Sequence, residues 1–266
     1  MQIKKITTET YSDLREIIKV KSTIDVFLVD STNGYFSAVN GILYNKDKTI
    51  LYAVPNKMKG TLVLPEETMC INYNACLHCQ LNQIAGIGVT NIRLCAFKNS
   101  SVKKVCFPSL HFVGDWAFNN CINLQEITMN QVIRITEFAF ANSGLKSLYL
   151  PHTLEHIDEN AFTNCTQLEQ VEVEDRNTRL IISSETFKGC SELKQFIFDN
   201  GLLTLGKKVF KDAGKLELVK LPHVEEIPTS TFYKCPSLQK ISLASECKIP
   251  PNLQKKISID IRSVLS

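Results

Sequence analysis

Two thiols and an imidazole stand within four residues at Cys76-Leu77-His78-Cys79. A C-x-x-C step of this kind is half of a zinc site, because a structural zinc takes four ligands and usually draws them from two such pairs. The sequence holds no second pair, so the metal reading lacks half its donors. The five histidines are His78, His111, His152, His156 and His223. His152 and His156 are four apart, but they flank a strand-to-bend segment rather than a helix, and no H-E-x-x-H occurs. There is no G-x-S-x-G, no P-loop and no G-x-G-x-x-G. No two carboxylates recur at a spacing that suggests an acid and a base. Asp115, Glu137 and Glu159 read as solvated or capping groups. These residues point to no catalytic centre, no metal and no cofactor, and the chain is expected not to be an enzyme.

What would position any site is a repeat. Phenylalanines stand at 97, 118, 140, 162, 187, 210 and 232, with spacings of 21, 22, 22, 25, 23 and 22 residues. Cys76 takes the same slot 21 residues before Phe97. Five residues before each of the eight lies an aliphatic: Ile71, Ile92, Val113, Ile135, Ile157, Ile182, Leu205 and Ile227. Three residues after each comes a small side chain: Cys79, Ser100, Cys121, Ser143, Cys165, Cys190, Ala213 and Cys235. Short alternating runs follow, such as Leu148-Tyr149-Leu150 and Val171-Glu172-Val173. Period-two alternation puts the outer residues of each triplet on one face and the middle one on the other. Self-similarity at this period is the mark of a solenoid, whose units bury their apolar faces only by stacking. Each cycle reads as strand, bend, aliphatic, tight helical turn and strand, with Thr136, Asp158 and Ser183 placed to cap the turn amides.

The repeat explains the thiols. Cys76 and Cys79 fill phased slots, so their spacing needs no metal. Five cysteines occupy the slot after the aromatic, where a free thiol behaves as a small buried apolar group. Cys165 and Cys190 fall on adjacent coils, close enough for a disulfide, but buried thiols are the expected state.

The segment Ala117-Phe118-Asn119-Asn120-Cys121-Ile122-Asn123-Leu124-Gln125-Glu126-Ile127 resembles the BspA-like class of leucine-rich repeats. Residues 161–171 and 231–241 match the same pattern, and Val39 to Leu51 resembles an insert seen between such repeats. The resemblance covers roughly residues 34–246. It implies a repeat solenoid: a curved leucine-rich-repeat stack of about eight coils of 21–25 residues. A parallel sheet lies on one face, with short helical turns or irregular segments on the other. It also implies a surface-exposed or secreted protein used for binding or adhesion, although residues 1–33 contain no apolar stretch of the kind a secretory signal needs.

The organisation follows. Residues 1–33 form an N-terminal cap or degenerate repeat, with Leu14 to Val20 reading as a worn strand and Ile24 to Val29 as another. Residues 34–56 are a hairpin insert, with strands over 40–44 and 49–54. Residues 57–246 are the repeats, and 247–266 a C-terminal cap ending in an alternating edge strand over 255–262. Thirty basic and 27 acidic residues leave a net charge of +3, which gives no basic footprint for nucleic acid. No run approaches the roughly 18 apolar residues of a membrane helix.

The outward strand positions carry the binding expectation. In phase they are Cys106, Thr128, Tyr149, Glu172, Ile197, Lys220 and Ser242, with Leu218 two places before Lys220. Tyr149, Glu172, Ile197, Leu218 and Lys220 come from four consecutive coils and combine an aromatic, two aliphatics and both signs of charge. They form the candidate surface for a protein partner; the alternative is a spacer or self-associating module with a solvated sheet. The charged stretch 174–181, the longest spacing, is either a tolerated bend or a binding loop. Trp116, the single tryptophan, is either partly exposed packing or a contact.

Overall fold

The computed structural model describes residues 1–7, 14–254 and 257–261. Residues 8–13 of the N-terminal region and 255, 256 and 262 of the expected edge strand lie outside them. The chain forms the parallel repeat solenoid that its periodicity predicts. The Leu-x-x-Val-x-Val runs build one face in two parts. One part has four strands, from Lys59–Val63 to Glu126–Thr128, and the other has six, from Ser147–Leu150 to Ser258–Ile261. The stack therefore extends by one strand on each side of the eight phased units.

The aliphatic slots do more than bend the chain. Asn91–Ile92, Phe112–Val113, Arg134–Ile135 and His156–Ile157 pair in parallel register, and with their neighbours they make a second sheet of eleven strands. Most of these strands are two residues long, too short for alternation to reveal them in the sequence. The single-sheet expectation is corrected on this point.

The turns are not helical. From Cys76 to Phe210 each carries left-handed residues two places before and two places after the phased residue, and at Phe232 only Lys234, two places after, is left-handed. Asn160 and Asn164 flank Phe162 at φ 57° and 56°, and Trp116 and Asn120 flank Phe118 at φ 58° and 58°. This lets every second amide leave the coil. Phe97 N–H donates to Ala117 O (2.8 Å), Phe118 to Ala139 (2.6 Å), Phe140 to Ala161 (2.8 Å) and Phe162 to Thr186 (3.0 Å). The turns thus form a third ladder between coils. Thr136 does not cap its own turn: its hydroxyl donates to Val113 O of the preceding coil. Asp158 pairs with Arg134 at 2.9 Å.

Inside, the phenylalanine rings stack from Phe97 to Phe232 with centroids 4.8–5.8 Å apart and planes within 15° of parallel. All but Phe232 are fully buried. Next to them runs a column of thiols and hydroxyls. The Sγ of Cys121, Cys165, Cys190 and Cys235 each donate to the carbonyl of the aromatic one coil back, at 2.9–3.3 Å. Ser100 and Ser143 lie 3.4 and 3.3 Å from the thiols of Cys121 and Cys165. A thiol at this slot satisfies a carbonyl that would otherwise have only its local turn bond, while the serines meet the thiol of the next coil.

The N-terminal region differs from its sequence reading. Leu14–Lys19 is an α-helix continued by a 3₁₀ turn to Ser22, not a worn strand. Val26–Val29 is a strand, parallel to Ile3–Ile6. Asn40 and Gly41 (φ 52° and 78°) form a two-residue hairpin turn between Phe36–Val39 and Ile42–Asn45, so the hairpin has three strands with Ile50–Ala53. Asn-Gly accepts positive φ at both places and is the strongest short hairpin signal. A separate apolar cluster around Phe27, Phe36 and Tyr52 holds this cap together.

Candidate functional site

The outward strand residues stand in one row. Tyr149, Glu172 and Ile197 are direct partners in register, Ile197 pairs Lys220, and Lys220 pairs Ser242. Leu218 lies in the neighbouring row, opposite Gln195 and Lys240. The five sequence-selected residues therefore share one surface. With parallel strands about 4.8 Å apart, four of them span about 15 Å. Tyr149 is 53% exposed. Glu172 is exposed, whereas Ile197, Leu218 and Lys220 are half-buried and Ser242 is buried. The apolar character of the row fades toward the C-terminal end, where Lys220 leans 3.6 Å from Asp199 and Lys240 3.3 Å from Asp260.

The insertion meets this row. Tyr149 faces the Glu174 carboxylate, and burial together with that neighbouring charge pushes its phenol up. Glu174 accepts from the His152 amide (2.8 Å) and lies 3.0 Å from His152 Nδ1. Those bonds hold the Glu174 carboxyl below its usual range, the His152 amide first among them. Arg176 anchors the segment: it is buried, and its guanidinium donates to Leu154 O and to Pro151 O (2.7 Å) one coil back. Asp175 accepts from Asn200 N (2.9 Å) and Nδ2 (2.7 Å). The stretch read as bend or loop is thus a fixed shoulder beside Tyr149. Among the described residues, a cleft of about 350 Å³ lies there between His152, Asn177, Thr178 and Asn200.

On the turn corner, Trp116 is half-buried. It stacks on Phe138 at 4.5 Å and 22°, with the Lys98 ammonium 4.4 Å from its ring centroid. Trp116 and Phe138 both adopt left-handed backbone, at φ 58° and 54°, where bulky residues are uncommon. Sequence reasoning missed this left-handed column. Its signal was visible in the asparagines two places after the aromatics, Asn99, Asn120, Asn142 and Asn164.

The buried thiols divide: a hydrogen bond from Cys76 pulls Cys79 down, and against burial one from Cys190 pulls Cys165 down, while others rise. Burial pushes Cys121 and Cys235 up to about 12, and Cys190 well up. A thiol so far from ionisation is a poor nucleophile at neutral pH. Among the described residues, no group of three His, Cys, Asp or Glu side chains is placed to hold a metal ion. No helix among them is long and apolar enough to cross a membrane.

The family profile described as BspA type leucine rich repeat region matches residues 69–181 and 167–259, in six copies. The chain belongs to this family. BspA-type repeats account for the stacked aromatic column and the strand face, and they make this chain a repeat scaffold. No curated protein matches it. Among solved structures, the pneumococcal vaccine antigen PcpA is similar at 19% identity and TM-score 0.48, over 91% of this chain and 51% of that one. A leucine-rich repeat protein from Eubacterium ventriosum is similar at 21% identity and TM-score 0.43, over 82% and 48%. The T. pallidum leucine rich repeat protein is similar at 18% and 0.38, over 80% and 84%. The chain spans about half the length of the first two.

Proposed function

We propose that this chain is a non-enzymatic recognition scaffold that binds a protein partner through the row Tyr149, Glu172, Ile197 and Lys220, with Leu218 beside it. The observation that carries the reading is the register: an aromatic, an acid, an aliphatic and a base meet side by side on a rigid parallel sheet. Interface energy concentrates in a few central aromatic or large residues within a polar rim. Tyr149 supplies that centre, standing 53% exposed beside the Glu174 carboxylate.

The test uses a photo-crosslinking amino acid at Tyr149 or Ile197 and, as control, at Tyr73 on the turn corner. The captured protein is then purified and its affinity measured for the parent and for Tyr149→Ser with Ile197→Ser, whose fold is checked by circular dichroism. Capture from the row alone, and at least about a tenfold weaker affinity in the double variant, support the reading. Capture from Tyr73 alone, or unchanged affinity, rejects it.

A further inference from the structure

A cavity of about 870 Å³ opens between the N-terminal helix Leu14–Lys19 and the first repeat turns. Its apolar wall comes from Leu14, Ile18, Leu77 and Leu94. Among the described residues its charged wall is of one sign: Arg15, Lys19, Lys21 and Arg93 line it, and no aspartate or glutamate does. Lys19 is answered from outside the lining by Glu16 at 2.6 Å. Among the described residues, Arg15, Lys21 and Arg93 form no ion pair.

Lys21 is the decisive group. Only 3% of its surface is exposed. Its ammonium donates to Asn74 O at 2.5 Å and to Ala75 O at 3.1 Å, and among the described residues no carboxylate pairs with it. Burial pulls its pKa down to about 8. A buried charge held by carbonyl dipoles alone remains costly, and a counter-ion brought into the same low-dielectric space offsets that cost. Arg93 lines the same cavity, with its guanidinium 5.3 Å from the Tyr73 ring centroid and one nitrogen 3.2 Å from Asn72 Oδ1, leaving further donors. The size of the cavity suits a small molecule, whose sites are mostly apolar with a few placed polar groups.

We propose that this cavity binds a small amphipathic anion, an apolar body carrying one carboxylate or similar group, with the anion directed to Lys21 and Arg93. The strand-face row lies on other coils, so this site stands or falls apart from the protein-binding reading.

The test is calorimetric titration of the full chain with decanoate and, as the uncharged match, decanol. Decanoate should bind saturably at one site, and decanol about tenfold or more weaker, the discrimination expected of charge-assisted hydrogen bonds. Arg93→Gln and Lys21→Met should each weaken decanoate by about tenfold and leave decanol unchanged. Arg15→Gln, at an accessible position, serves if the Lys21 variant does not fold. Equal binding of the two ligands, no saturable binding of decanoate, or decanoate affinity untouched by the arginine variants overturns the proposal.

Discussion

At the N-terminal end of the turn column, the first carbonyls are answered. Ala75 O accepts from Val54 N–H at 2.9 Å and from the Lys21 ammonium, and a helix and three antiparallel strands with their own apolar cluster close the stack. At the C-terminal end, Phe232 is half-buried and Tyr233 is 54% exposed. Among the described residues, the amides of Phe232 and Lys234 meet no acceptor, and a cavity of about 680 Å³ lies between Phe232, Pro250, Leu253 and Ile257. The parallel stack makes its ends chemically unlike: one presents acceptors, the other donors. A lysine can reach over the first. The second would need a carbonyl or an anion. The contrast also predicts that equivalent substitutions weaken the middle of the column more than its open end.

The largest effect tests that gradient. Phe162 lies between Phe140 and Phe187, with ring centroids 5.0 and 5.4 Å away. Phe162→Ala should cost about 3–5 kcal/mol, as large-to-small changes of core aromatics do. Phe232 stacks on Phe210 alone, so Phe232→Ala should cost about half of that or less. Urea unfolding gives both values. Equal losses would break the gradient, and a melting point for Phe162→Ala within a degree or two of the parent would break the column itself.

The closed end has a pH signature. Lys21 titrates near 8 when folded and at 10.5 as a free lysine. The unfolded chain therefore binds more protons between those values, and this group's contribution to stability rises with pH across the window. The shift corresponds to roughly 3 kcal/mol, present as a penalty below pH 8 and relieved toward 10.5. Cys121, Cys190 and Tyr44, whose ionisation burial raises, act in the opposite sense above about pH 9. The measurement is therefore the difference between the parent and Lys21→Met, followed from pH 7 to 10.5 by urea unfolding. A flat difference would mean that the amine is solvated.

How much of this was legible follows from segment length and distance. The aromatic, aliphatic and small-residue slots were readable because they recur in phase, and they fixed the column, the coils and the outward row including Tyr149 and Glu172. The second sheet was not, because strands such as Arg134–Ile135 are two residues long and alternation needs more. Lys21 was silent because its partners, Asn74 and Ala75, lie more than fifty residues away. Leu14–Lys19 read as a strand because its apolar residues fit both periods over so short a span. The tie between His152 and Glu174 crosses coils at an insertion, where the repeat register no longer guides the eye.

Glycines separate the stack from the cap at a smaller scale. A Cβ on Gly144 would sit 2.1 Å from Ile122 O of the preceding coil, whereas Gly34, just before the hairpin strand Phe36–Val39, has nothing within 4 Å. Gly144→Ala must push two backbones apart and should cost about 1–3 kcal/mol, the range of overpacking. Gly34→Ala should stay within about 0.5 kcal/mol. Thermal unfolding of the pair decides it; if Gly144→Ala is neutral, the coils are more compliant than their ladder of hydrogen bonds implies.

The smallest effect concerns the thiol column. Cys165 is fully buried and its Sγ donates to Phe140 O at 3.1 Å, while half-buried Cys235 makes the matching bond to Phe210 O at 2.9 Å. Cys165→Ala removes both the donor and volume, and should cost about 1–2 kcal/mol. Cys165→Ser keeps a donor of the kind Ser100 and Ser143 already place in this slot, and should cost about 1 kcal/mol or less. At Cys235 water reaches the site and Ala213 already fills the slot one coil back, so alanine there should cost about 0.5 kcal/mol or less. In a chain of this length one kcal/mol moves the melting temperature by about 2–4 °C, so scanning calorimetry under reducing conditions can order the three variants. If Ser and Ala at 165 are equally costly, the hydrogen bond contributes nothing and the slot selects for volume alone. If Cys235→Ala matches Cys165→Ala, the open end is as tightly held as the middle, and the difference between the two regions lies in surface exposure rather than in stability.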